Sequence, residues 1–277
     1  MKPPLAIIAG NGALPAHLFA ACRKAGRAAH LVRIKGTAPE GLESVPGLDF
    51  AFEGFGALFD ALHARGVGAV VFAGGLRRPE IDPARFDART RDIAPRLLPL
   101  IGGGDDRVLR EIARVFEEEG FTLEAAHDIA PDLLAGGGTL GAHVPADADL
   151  ADIARAAEIC AALGRADLGQ AVVVAGGLCL GVETVQGTEA LLAFVAETRA
   201  EAAPVKGGVL LKAPKPGQDL RFDLPAIGPG TVAQAHRAGL AGIAVQAGGA
   251  LLLERGRLIA EADRLGLFLY GVPESGA

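Results

Sequence analysis

The stretch "LAIIAGNGALP" (Leu5 to Pro15) limits most strongly what this chain can fold into. An unbroken apolar run from Leu5 to Ala9 ends in Gly10, Asn11 and Gly12, and an amphipathic stretch follows through Cys22. Apolar residues without polar alternation fit a strand buried on both faces; glycines and then a period near 3.6 fit a turn into a helix. The pattern recurs down the chain. "AAHLVRI" reads as a second strand and "FGALFDALHARG" as a helix closed by Gly66. "GAVVFAGGLRRP" reads as a buried strand ending in glycines, with a basic pair beyond it. "ARFDARTRDIAPRLLPLI" reads as helical and interrupted by Pro95. "GGGDDRVLREIARVFEEEG" reads as a helix starting at Asp105 and Asp106 and stopping at Gly120, and "FTLEAA" as a strand. Alternating strands and helices with short connections predict a parallel sheet with right-handed crossovers.

The periodic pattern lapses at "LLAGGGTLGAHVPADADL". That break predicts an α/β protein of two parts, a Rossmann-like parallel-sheet domain over 1–137 and a mixed α/β domain over 138–277. The second part opens with a helix, "DLADIARAAEICAALG", and continues with "QAVVVAGGLCLGVE", two strands joined through Gly176 and Gly177 as a hairpin. A helix beginning at "GTEALLAFV", a strand in "GGVLLKAP", a helix "GTVAQAHRAG", a hairpin-like "AGIAVQAGGALLLE" and a closing helix and strand follow. "AVVFAGGL" (69–76) and "AVVVAGGL" (171–178) differ at a single position. One lies in a crossover unit and the other in a hairpin, so convergent strand-then-glycine chemistry is the reading, not duplication.

A length of 277 residues suits two domains, and with half of them apolar there is material for a core in each. A formal net charge of −6 argues against a nucleic-acid partner, which calls for a basic face. Cys22, Cys160 and Cys179 are odd in number and far apart, with no CxxC or Cys/His ligand spacing. They fit buried thiols in a reducing compartment and neither a zinc site nor a disulfide framework. Residues 1 to 12 lack a cationic start and a long apolar core, and no run approaches the roughly 18 apolar residues of a membrane span. The expectation is a soluble cytoplasmic protein, with visits to a membrane surface left open.

Several motifs start and then depart. "GNGALP" begins like a dinucleotide fingerprint, but Pro15 stands where the third glycine belongs and Lys35 follows the second strand where an acid is required. A phosphate-bearing ligand over that helix N-terminus stays compatible. "REIARVFEEEGF" resembles the end of a Nudix box, but its acidic pair is three residues too far from Arg110 and Glu111, so Glu117 to Glu119 read as a solvated helix face. His127 and Asp128 read as a structural loop pair ahead of a metal or base pair.

Three surfaces carry candidate chemistry. The carboxyl edge of the first sheet gathers Asn11 and Gly12, then Gly74, Gly75, Leu76 and Arg77, then Gly102, Gly103, Gly104 and Asp105. Arg77 and Arg78 suit an anionic group there, while Asp105 and Asp106 either cap a helix or suit a hydrated divalent cation. A second surface has Lys206, Lys212 and Lys215 around "GGVLLKAPKPGQD", with Gln170, Glu183 and Thr188 on preceding elements. Lys212 ends an apolar strand, where a charge tends to face a partner. The third is "DLRFDLPAIGPGT", in which Asp223 stands between Phe222 and Leu224 and Pro225 fixes the backbone just after it. That carboxylate reads equally as a metal ligand or activator of water and as an aspartate bonding its own loop.

"AGNGALP", "GGGDD", "AHDIAPDLLA", "QAVVV", "VETVQGTEALL" and above all "KAPKPGQDLRFDLPAIGPGT" resemble the LpxI family nearly from end to end. The resemblance implies two α/β domains with the lipid product held between them. It implies Mg²⁺-dependent hydrolysis of UDP-2,3-diacylglucosamine to 2,3-diacylglucosamine 1-phosphate and UMP in lipid A synthesis, with water attacking the β-phosphorus. The implied catalytic acid is Asp223, as metal ligand or general base. Asn11, Gly12, Gly74, Gly75, Leu76, Arg77, Gly102, Gly103, Gly104, Asp105, Gln170, Thr188 and Lys212 are the implied substrate contacts. A lipid-linked UDP-sugar would bring the chain to the cytoplasmic face of the inner membrane, and a homodimer is left open. On the residues alone, another nucleotide-sugar enzyme, such as a transferase or epimerase, and a non-enzymatic nucleotide- or lipid-binding regulator remain alternatives.

Overall fold

Strand β1 (Leu5–Ala9) is buried along its whole length, as its unbroken apolar sequence requires, and it sits at the centre of a five-stranded sheet. The computed structural model describes residues 2–76, 79–100, 105–202, 206–222 and 224–273, with the backbone alone for Asp105, Asp106 and 200–202. The chain divides into two compact units, the first running to Pro131 and including Arg221 and Phe222, the second beginning at Asp132.

In the first unit β1 is followed by α1 (Leu14–Lys24), β2 (Ala29–Ile34), β3 (Gly47–Phe50), α2 (Phe55–His63) and β4 (Ala69–Ala73). Then come α3 (Ala88–Leu97), α4 (Asp105–Glu118), β5 (Thr122–Leu123) and α5 (Ala126–Ile129). The strands pair in the order β3-β2-β1-β4-β5, all parallel. The direction of winding reverses between β1 and β4, and their carboxyl ends therefore flank a topological switch point, where open α/β sheets bind ligands. Phenylalanines fill the core: Phe59 meets Phe116 at 5.2 Å and Phe72 meets Phe116 at 5.4 Å between ring centroids, both edge-on.

Three details differ from the sequence reading. β3 had no strand signal, because an edge strand with only Phe50 buried needs no apolar run. "FTLEAA" forms only the two-residue β5 at the opposite edge. Pro95 does not interrupt α3, which runs through it to Leu97; the hydrogen bond it forfeits falls in the last turn, where the helix ends anyway. The start of α3 is held by Asp87, whose carboxylate accepts from Thr90 N at 2.7 Å and Ala57 N at 3.2 Å. Burial pushes the Asp87 carboxyl up, but these hydrogen bonds outweigh it and hold the group below its ordinary value.

The second unit runs β6 (Gly138–Thr139), α6 (Asp147–Arg165), β7 (Ala171–Ala175), β8 (Leu178–Val182), α7 (Gly187–Ala202) and β9 (Val209–Lys212). It continues with β10 (Ala226–Ile227), α8 (Pro229–Arg237), β11 (Gly242–Gln246), β12 (Leu251–Leu252), α9 (Arg255–Leu265) and β13 (Phe268–Val272). Its main sheet has the order β6-β13-β11-β9-β7-β8, with β9, β11 and β13 parallel and β6, β7 and β8 joined antiparallel. Gly176 and Gly177, at φ +56° and +78°, make the tight turn of the β7–β8 hairpin. The buried Asp152 of α6 accepts from their amides at 2.9 and 2.7 Å. "AGIAVQAGGALLLE" is not a hairpin. β11 has both edges filled by β9 and β13, so β12 pairs instead with β10, parallel, in a separate two-stranded sheet. No helix among the described residues is long and apolar enough to cross a membrane.

Candidate functional site

At the switch point of the first unit, the ends of β1 and β4 are clamped backbone to backbone. Gly10 N donates to Ala73 O at 2.8 Å, Asn11 N to Gly75 O at 2.7 Å, and Gly75 N returns to Asn11 O at 3.1 Å. The clamp requires glycine. A Cβ on Gly10 would stand 2.5 Å from Gly75 O, and one on Gly74, at φ +91°, would stand 2.4 Å from Asn11 O. Gly12 and Gly75 are different, since a Cβ on either would meet nothing within 4 Å. Those two line open space, where a ligand can approach the backbone closely. The Asn11 side chain accepts from Ala38 N at 2.9 Å and so ties the turn to the loop after β2. Leu76 follows, 43% exposed. Next to the clamp, α1 begins with Pro15 in its first turn and no side-chain cap, leaving amide donors and the positive end of the helix dipole for an anion.

In the second unit Lys212 is the last residue of β9. Because β7 runs antiparallel to both β9 and β8, the end of β9, the start of β7 and the end of β8 meet at one sheet edge. There the Lys212 ammonium donates to Thr188 Oγ1 at 2.9 Å and Ala226 O at 3.2 Å. Thr188 Oγ1 in turn donates to Glu183 Oε1, and Glu183 Oε2 accepts from Gln170 N at 2.9 Å. Glu183 is only 8% exposed, so its charge depends on these donors. Gln170, Thr188 and Lys212 thus share one hydrogen-bonded chain whose centre is Glu183. The arrangement holds an ammonium group in a fixed place, suited to an anionic oxygen.

Residues 4–133 match the family model described as the LpxI N-terminal domain, and residues 136–270 match that of the LpxI C-terminal domain. The chain belongs to the LpxI family. It is 44% identical over 271 residues to the UDP-2,3-diacylglucosamine pyrophosphatase LpxI of Caulobacter vibrioides, covering 97% of each chain.

In this LpxI chain the expected site residues fall into separate groups. Asn11, Gly12, Gly74 and Gly75 are brought together in the first unit, with Leu76 next in sequence; Gln170, Thr188 and Lys212 are brought together in the second. Asp105 opens α4. Arg77, Gly102, Gly103, Gly104 and Asp223 lie outside the described residues. Glu183, which the sequence reading placed on the Lys212 surface but not among the implied substrate contacts, is the centre of the Lys212 chain. Its one sequence signal is an acid placed directly after a strand. Among the described residues, no three His, Cys, Asp or Glu side chains are grouped to hold a metal ion.

Other charged residues prove to be structural. Glu117, Glu118 and Glu119 do not form a merely solvated face: they pair with Arg221 at 3.0 Å, Arg96 at 2.7 Å and Arg89 respectively. Asp128 accepts from Ala125 N at 3.3 Å and caps the short α5. Lys215 is paired with Asp167.

Proposed function

We infer that this chain hydrolyses the pyrophosphate bond of UDP-2,3-diacylglucosamine in lipid A synthesis. The observation that carries the reading is the match of both LpxI domains, together with 44% identity to the Caulobacter pyrophosphatase over nearly all of both chains. In the finer reading, water attacks the β-phosphorus. A bond forms from the water oxygen to that phosphorus, the bond to the bridging oxygen breaks, and UMP leaves with the bridging oxygen. 2,3-Diacylglucosamine 1-phosphate remains. Asp223 supplies the essential carboxylate, as base toward water or as ligand of an ion.

The chain's own groups fit a diphosphate. In the first unit the open backbone at Gly12 and Gly75 and the uncapped start of α1 offer amide donors to non-bridging oxygens. In the second unit the hydrogen-bonded Lys212 ammonium is by itself suited to an anionic oxygen. Mg²⁺ needs no protein cage, since it is commonly held by one or two carboxylates with substrate phosphates and waters. In this reading Asp223 would supply the carboxylate. When bound, the ion would neutralise charge developing on the phosphate oxygens. The acylated substrate would draw the chain to the membrane surface.

The test is product analysis in ¹⁸O-water, with Asp223→Asn alongside. The reading expects UMP and the sugar phosphate, with the label in the sugar phosphate, and loss of turnover in the variant. Label in UMP moves the attack to the α-phosphorus, and parental turnover in Asp223→Asn removes the assignment of the acid.

A further inference from the structure

Arg221 and Phe222 belong to the first unit, although the chain before them up to Leu220 and after them from Leu224 belongs to the second. So short an excursion persists only if something holds it. The Phe222 ring meets Phe72 at 6.0 Å between centroids and an interplanar angle of 71°. Phe72 meets the fully buried Phe116 edge-on, so Phe222 extends the aromatic core of the first unit by one ring. The neighbouring Arg221 pairs with Glu117 of α4 at 3.0 Å and lays its guanidinium 4.8 Å from the centroid of the Phe222 ring.

The chain is also pinned on either side. Upstream, Lys215 is bonded to Asp167, and Gln218 accepts from Lys215 N at 2.8 Å. Pro216 lies so close to Gly164 that a Cβ there would be 2.5 Å from its ring. Downstream, the Pro225 carbonyl accepts from Leu251 N at 2.8 Å. The seat itself is well placed. Phe72 is the penultimate residue of β4, and the strand runs from it directly into the Gly74–Gly75 clamp at the switch point.

We propose that Phe222 is a positioning residue for the hydrolysis: its ring, seated against Phe72 with Arg221 tied to Glu117, fixes the backbone from which the next residue in sequence, Asp223, departs. The proposal rests on the reading of Asp223 as the essential acid. A carboxylate displaced by about 1 Å can lose on the order of 100-fold in rate, while groups that bind substrate elsewhere are untouched. The seat should therefore show in kcat and not in KM.

The experiment measures steady-state kinetics and melting of the full chain carrying Phe222→Ala, Phe222→Leu or Asp223→Asn. Phe222→Ala is expected to lower kcat by about 100-fold with KM changed by less than about threefold. Phe222→Leu, which keeps bulk in the seat, should recover kcat to within roughly tenfold of the parent, again at constant KM. If the alanine variant fails to fold, the leucine variant decides alone through the same split between kcat and KM. Parental kcat in either variant, or a loss carried by KM, overturns the positioning role. When that happens while Asp223→Asn is inactive, only the positioning inference has failed. Turnover by Asp223→Asn removes the reading of the acid and the positioning inference with it.

Discussion

Gly74 and Gly75 are neighbours with opposite expected responses to one added methyl group. At Gly74 the backbone has φ +91°, where an L-residue costs about 1–2 kcal/mol. The new Cβ would also stand 2.4 Å from Asn11 O and 3.0 Å from Gly10 C, and both of these are backbone atoms that cannot swing aside. Relieving the clash strains the pair of hydrogen bonds between Asn11 and Gly75, each worth about 1 kcal/mol. Gly74→Ala should therefore cost about 3 kcal/mol, a fall in Tm of roughly 6–12 °C for a chain of this size. Gly75 has an ordinary φ and open space around its Cβ position, so Gly75→Ala should stay within about 0.5 kcal/mol of the parent. If substrate approaches that backbone, the methyl group that spares the fold will obstruct the ligand. A loss of about 1.4 kcal/mol there is tenfold in kcat/KM. Thermal melting and steady-state kinetics on the two variants separate the effects. Parental kcat/KM in Gly75→Ala would remove this edge from the substrate site, and parental Tm in Gly74→Ala would refute the steric account of the clamp.

Two further outcomes are expected. Lys212→Met keeps the length of the side chain and removes the ammonium group, and should lower kcat/KM by about tenfold to a hundredfold with a smaller effect on Tm; a change in Tm with parental kinetics would make the Lys212–Thr188–Glu183 chain purely structural. Burial pushes the Cys160 thiol up to about 11 and raises that of Cys22, whereas Cys179 is exposed. At pH 8 only about one Cys160 in a thousand is then thiolate, so iodoacetamide should modify Cys179 first and the other two only on unfolding; rapid native labelling of Cys160, which lines a cavity of about 320 Å³, would contradict this.

Much of the fold could be read along the chain, because strongly buried strands and amphipathic helices carry their own patterns. β1, β4 and β7, which are buried on both faces, were evident from apolar runs, and the ends of α2 and α4 from Gly66 and Gly120, both at positive φ. β3 was not evident and β5 was expected longer than the two residues it forms, since a short edge strand asks little of its sequence. The stretch from Gly242 to Leu252 has the composition of a hairpin. What excludes one is not local: both edges of β11 are occupied. In the site, Lys212 was visible as a charge ending an apolar strand. The role of Glu183 was not, because its partners Gln170 and Thr188 reach it only through the pairing of β7 with β8 and the start of α7.

The two near-identical octapeptides show where the division falls. "AVVFAGGL" and "AVVVAGGL" both dictate a buried strand ending in two glycines, and both form one, as β4 and β7. Chemistry of the chain alone determined that much: apolar residues leave water, and glycine permits the turn. What each turn does was decided by tertiary partners. At Gly74–Gly75 the backbone of Asn11, delivered by the parallel neighbour β1, closes a clamp beside the switch point. At Gly176–Gly177 the buried carboxylate of Asp152, delivered by α6, gathers both amides and folds the chain back as β8. A turn's hydrogen bonds must be met by whatever lies nearby, and only the folded chain determines what that is.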